Sequence, residues 1–133
     1  MGKTFSCIII LLASSLCFAH KATAGIFRSD IVIAGGSTSG VTAAVQAARL
    51  GASVVVVEQT TWLGGMLTAA GVGAVDGNYN MPAGLWGEFR DSLAAHYGSL
   101  EALKTGWVSN VMFEPSVGSR IFHNGVAKEK GVT

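Results

Sequence analysis

Cysteine is almost missing from this chain. Its 133 residues include two, Cys7 and Cys17, and both fall within the first 24. If that segment is removed, no thiol remains for a disulfide, a redox-active pair, or a thiolate ligand to zinc or an iron–sulfur cluster. Charge is sparse too, at 13% of residues, and residues 25–133 carry seven basic against eight acidic side chains. A near-neutral balance with no Lys/Arg run argues against nucleic acid as a partner. No Asn-x-Ser/Thr sequon occurs, so exposure outside a cell brings no obvious glycan. No apolar run reaches the roughly 20 residues that a membrane-spanning helix needs.

The beginning of the chain differs from the rest. Lys3 precedes a mostly apolar run from Phe5 to Ala19, and a short polar piece ends in Ala22-Thr23-Ala24 before Gly25. A weakly basic start, an apolar core and an A-x-A site describe a secretory signal peptide over residues 1–24. The expected location is therefore extracytoplasmic, periplasmic or secreted, with no stable membrane span after cleavage; an uncleaved anchor is the alternative. Leu16 before Cys17 makes a poor lipidation site. With no twin arginine, the chain would cross a membrane unfolded and acquire any cofactor afterwards.

The information lies between Asp30 and Glu58. A short apolar run (Ile31 to Ala34) meets a glycine turn, Gly35-Gly36-Ser37-Thr38-Ser39-Gly40. An alanine-rich segment (Val41 to Leu50) stops at Gly51, and four valines (Val54 to Val57) end in Glu58. Strand, phosphate loop, helix, strand and carboxylate, in that order, make the first βαβ unit of a Rossmann-like dinucleotide-binding α/β fold. Four valines without polar alternation suit a parallel strand covered on both faces. Gly35 lets the chain turn sharply, and Gly40 lets the helix lie close to the strand. The helix N-terminus then faces a pyrophosphate. Glu58, 18 residues after Gly40, is placed to accept hydrogen bonds from the adenosine ribose.

One position departs from G-x-G-x-x-G. The glycines would be 35, 37 and 40, but position 37 is Ser, whose Cβ takes room where the backbone approaches the phosphate. Its hydroxyl can partly compensate by bonding the phosphate. The bland alternative is a nucleotide-free βαβ unit with a Gly-rich turn.

A second glycine cluster follows, with Gly64, Gly65, Gly71 and Gly73 among Trp62, Leu63, Met66 and Leu67. It precludes a regular helix and allows close backbone approach to a ligand. A nicotinamide domain usually runs from its acid into an ordinary helix. A Gly-Gly turn about six residues on suits the ribityl and isoalloxazine portions of a flavin. A flexible surface loop is the alternative, though solvated loops are seldom so apolar.

Asp30 to Val72 resembles the N-terminal FAD-binding segment of FAD-dependent oxidoreductases, in particular a secreted group labelled xanthan lyase and, more distantly, the flavin subunit of heterodisulfide reductase. The resemblance is carried by Ile-Ala-Gly-Gly-Ser-Thr-Ser-Gly, Ala-Ala-Arg-Leu-Gly-Ala and Val-Glu-Gln-Thr-Thr-Trp-Leu-Gly-Gly-Met. Thr-Gly-Trp-Val-Ser-Asn and Phe-Glu-Pro-Ser-Val-Gly are similar too. It implies FAD as cofactor and hydride transfer from a small organic substrate. Gly35 to Gly40 would hold the pyrophosphate and Glu58, with Gln59 beside it, the adenosine ribose. Gly64, Gly65 and Met66 would run along the flavin. Distant relatives carry 4Fe-4S clusters, for which residues 25–133 have no cysteine, and the residues quoted include no candidate for catalysis.

Further on, Leu85, Phe89, Leu93 and Tyr97 recur every four residues, which predicts a helix over Met81–Tyr97 with Pro82 at its start, Gly98 at its end, and Glu88, Arg90 and Asp91 off the apolar stripe. His96 reads as partly buried or exposed rather than catalytic. Leu100 to Lys104 predicts a helical turn and Trp107 to Phe113 an extended piece. Glu114-Pro115 predicts a second helix start, with Gly131 as its C-cap, and Val132-Thr133 the beginning of a parallel strand. Residues 25–133 thus read as the N-terminal part of an FAD-binding domain, truncated before its sheet and substrate domain are complete. An inactive secreted fragment and an NAD-dependent dehydrogenase domain are the alternatives.

Overall fold

The structure, a computed structural model, describes residues 25–77 and 79–133. The expected signal peptide and its anchor alternative, residues 1–24, lie outside the described residues. Strand β1 (Ile31–Ala34), helix α1 (Thr38–Arg49) and strand β2 (Val54–Val57) follow one another as the motif requires. The strands pair in parallel from Ile31↔Val54 to Ala34↔Val57. Asp30 sets that register: its carboxylate accepts the Ser53 N–H at 2.8 Å and the Ser53 hydroxyl at 2.6 Å. The Ser53 hydroxyl, then its N–H, hold the Asp30 carboxyl below its ordinary pKa.

The chain returns to the sheet at its far end. Val54 N–H donates to Gly131 O (2.7 Å), Thr133 N–H to Val54 O (2.9 Å) and Val56 N–H to Thr133 O (2.8 Å), a parallel pairing on the free edge of β2. Val132 thus makes an isolated parallel bridge to Val54 on the side of β2 away from β1, the place a third strand takes in a Rossmann half. Gly131 lies in the turn just before this bridge and is not the helix cap, which falls at Lys128.

The two-sided burial expected of the valines is not found. Ile31, Ile33, Val54 and Val56 share the face toward α1, and Val54 is fully buried there. On the opposite face Val32 is 67% and Val57 57% exposed. Apolar runs mark strands that can be covered twice, and only α1 packs broadly on this sheet among the described elements. Val57→Thr is accordingly expected to change unfolding free energy by less than about 0.5 kcal/mol, the range for exposed sites, in a urea titration; a loss near 2 kcal/mol would show that the face is covered.

Two more helices complete the core, α2 (Gly84–Tyr97) and α3 (Pro115–Ala127), with 3-10 turns at Gly65–Leu67 and Glu101–Leu103. Helix α2 starts three residues later than the apolar spacing suggests. Gly84 takes φ +67°, and the chain from Met81 to Ala83 is irregular. Helix α3 begins at Pro115, whose missing N–H costs nothing at a first turn. Phe89 and Leu93 of α2 are buried with Val41 and Val45 of α1 and Val117 and Phe122 of α3. Phe89 stacks on Phe122 at 4.6 Å and meets Phe113 edge-on at 5.4 Å. No helix among the described residues is long and apolar enough to cross a membrane.

Two arginines organise the helices. Arg49 grips both Glu88 oxygens at 2.7 and 2.8 Å and reaches Glu129 at 2.8 Å, tying α1 to α2 and to the turn after α3. Arg90 lies off the apolar stripe yet is buried, its guanidinium donating to the Tyr79 and Met81 carbonyls at 3.1 and 3.2 Å. It thereby fixes the irregular entry to α2. His96 is exposed, edge-on to Tyr97 and 3.4 Å from Arg120.

Candidate functional site

The site is built where β1 gives way to α1. Gly35 leaves the strand at φ +102°, its N–H held by Val57 O at 2.8 Å, and a Cβ there would stand in open space. Gly36 is buried beneath Leu63 and Glu58. Gly40 is forced by packing: a Cβ would overlap the Gly35 carbonyl oxygen and press on Ile33 Cγ2. The glycine turn and the helix start thus fold back on each other as the motif demands.

Ser37 is the N-cap of α1. Its backbone is extended (φ −64°, ψ 171°), a conformation any residue adopts, so no glycine is required there. Its Oγ caps α1 by accepting the Gly40 N–H at 3.2 Å and lies 3.0 Å from Ser39 Oγ. An N-cap serine satisfies one of the first-turn amides. No acidic side chain occupies the first turn of α1, so the positive end of its dipole faces the loop uncompensated.

Glu58 stands across the loop at the end of β2. One carboxylate oxygen accepts the Gly36 N–H at 2.7 Å and the other the Thr60 N–H at 2.9 Å. The Thr60 N–H, then the Gly36 N–H, hold its pKa below the ordinary 4.5. The sign follows: a depressed carboxyl contributes in full above its unfolded pKa and loses that contribution as pH falls through the folded value. Folding stability is expected to fall as pH drops below about 5, and in urea titrations across that range Glu58→Gln loses that part of the pH dependence. Unaltered pH dependence in the variant would remove Glu58 from the account. Gln59 beside it is exposed.

The second glycine cluster comes back onto the first. Gly64 N–H donates to Gly36 O at 2.7 Å and the Thr38 hydroxyl donates to Gly64 O at 2.8 Å. Gly64, at φ +113°, is packed on Phe122 and Thr68, and a Cβ on Gly65 would come within 3.0 Å of Ser37 Cα. Met66 follows in a 3-10 turn with its side chain 69% exposed. Gly35 to Gly40, Glu58, Gly64 and Gly65 therefore form one cluster. Thr60 and Leu63 join it without having been singled out by the motif; hydroxyls and amides in a loop leave no periodic trace. The loop is further tied to α3 by His123, whose Nε2 lies 3.1 Å from Thr61 O.

Among the described residues, no group of His, Cys, Asp and Glu is arranged to hold a metal ion.

A family model described as FAD dependent oxidoreductase matches residues 30–133. No curated protein matches the sequence. Among solved structures, the crystal structure of Thermovibrio ammonificans THI4 is similar at 15% identity and a TM-score of 0.43, over 98% of this chain and 44% of that one. The chain thus spans less than half the length of that protein.

Proposed function

The chain belongs to the FAD dependent oxidoreductase family, with FAD as its cofactor, and from that premise we propose that residues 30–66 form its FAD cradle. Gly35, Gly36, Ser37, Thr38, Ser39 and Gly40 take the pyrophosphate at the N-terminus of α1. Glu58, flanked by Gln59, takes the adenosine ribose. Gly64, Gly65 and Met66 take the ribityl and flavin side. Carrying the reading is the convergence on Gly36 of two residues distant from it in sequence: its N–H meets Glu58 and its carbonyl meets Gly64. A carboxylate has about four acceptor positions, so Glu58 can bond ribose hydroxyls while keeping its two backbone donors. In an NAD-dependent domain the Gly64-Gly65 pair would have no such position to fill.

Bound FAD would supply the hydride-accepting chemistry of an oxidoreductase. The chain's own contribution is to bind and orient: helix N-terminus and loop amides for charge, glycine backbone for close approach, Glu58 for the sugar. The substrate would be a small organic molecule. The finer kinship is with the secreted xanthan-lyase-labelled group and the heterodisulfide reductase flavin subunit, and an extracytoplasmic location via residues 1–24 belongs to the same proposal.

The test is a fluorescence titration of the purified protein with FAD and, separately, NAD. Saturable quenching by FAD, weakened by Glu58→Gln, supports the proposal. Binding of NAD in preference to FAD sinks it.

A further inference from the structure

One side-chain bond joins the two glycine loops among the described residues, beside the backbone bond between Gly64 and Gly36. The Thr38 hydroxyl has one proton, and it is directed to Gly64 O at 2.8 Å across 26 residues of sequence. The amide on the other side of Gly64 is held by Gly36 O at 2.7 Å. Both backbone polar groups of Gly64 are therefore fastened to the first loop, and Gly65 lies against Ser37. Thr38 is half-buried, as an internal strut would be, and it is the first residue of α1.

We propose that Thr38 is a positioning residue whose hydroxyl locks the Gly64-Gly65 turn onto the pyrophosphate loop, so that the two halves of the cofactor are gripped by one rigid unit. This rests on the FAD reading above. A rigid cradle binds better than a mobile one because the ordering entropy is lost at folding and not at binding. With its proton committed to Gly64, the hydroxyl has no donor left for a phosphate. Thr38 meets the pyrophosphate through its first-turn backbone N–H, which Thr38→Val keeps, and the hydroxyl acts on the cofactor through the turn. The turn serves the flavin side alone. Losing the strut should therefore penalise a ligand that spans both loops and spare one that reaches only the first.

Thr38→Val keeps the shape and removes the donor; Thr38→Ser restores it. FAD and ADP are titrated separately into the purified full chain of each variant, with far-UV circular dichroism as the folding control. The expected result is FAD binding weakened about fivefold in Thr38→Val, the scale of one neutral hydrogen bond, with ADP binding within about twofold of wild type and Thr38→Ser close to wild type for both. Equal weakening for FAD and ADP, or no weakening for FAD, overturns the strut and leaves the FAD site standing. A wild-type chain that binds neither ligand overturns the FAD site and the strut with it.

Discussion

Gly40→Ala is expected to weaken FAD binding strongly and to destabilise the chain, although helix propensity alone argues the reverse. Alanine in a helix interior is worth about 1 kcal/mol more than glycine, so on local grounds the change should help. The added methyl, however, would overlap the Gly35 carbonyl oxygen and lie 3.3 Å from Ile33 Cγ2. That carbonyl has little room to give way, because the Gly35 N–H is fixed to Val57 and Gly35 already sits at φ +102°. Forcing a methyl into such packing costs about 1–3 kcal/mol and occasionally more, which outweighs the propensity gain. Relief comes only by moving α1 off β1, and that opens the loop that holds the pyrophosphate. FAD affinity should fall by about a hundredfold or more, the equivalent of about 2.7 kcal/mol. Gly125→Ala is the control. It is also a glycine inside a helix, α3, but nothing lies within 4 Å of its Cβ position, so there the propensity term should act unopposed. Paired urea titrations and FAD titrations check both. A stable, FAD-binding Gly40→Ala protein would mean that α1 does not press on the loop as described.

Gly64→Ala carries two penalties at once. Its φ of +113° is a backbone conformation that residues with a Cβ avoid, at a cost of about 1–3 kcal/mol. Its Cβ would also stand 2.6 Å from two ring carbons of Phe122 and from Thr68 Cγ2. Phe122 cannot swing aside freely, since it stacks on Phe89 in the centre of the core. Overpacking adds about 1–3 kcal/mol. The sum, about 2–6 kcal/mol by these two sources, is a large fraction of a small domain's stability. Gly71→Ala separates the terms: φ is +81° there, but the Cβ position is open, so only the backbone penalty applies. Urea midpoints of the two variants should differ clearly, with Gly64→Ala the weaker. Equal midpoints would show that the Phe122 contact yields without cost.

These two glycines show how far the site could be read from its residues. Gly40 is local: its partner is the turn five residues earlier, and a spacing motif encodes such a contact well. The same holds for β1, α1 and β2 and for the parallel bridge at Val132, each announced by punctuation or β-branched runs. Gly64 is different. The motif marks it as a place for close approach, but not that it closes on Gly36 and Thr38, since a contact 26 residues long leaves no pattern nearby. The Ser at position 37 reads as a flaw in a glycine triad, and it is a helix cap at an ordinary φ. Arg90 is placed off the apolar stripe by helical spacing, which does not show its burial, because its acceptors are carbonyls of an irregular loop that periodicity does not describe. The open face of the sheet was hidden for the opposite reason: a run of valines reports that a strand tolerates burial on both sides, and does not report what covers it.

The central claim is that residues 30–66 are an FAD site, and the most direct test is retention. The purified protein is mixed with FAD, passed through gel filtration, and its visible absorbance recorded in the protein peak. The account predicts paired flavin bands travelling with the protein at about one flavin per chain, as expected for a single dinucleotide site. A folded protein that emerges colourless, with all the FAD in the small-molecule fraction, would contradict it.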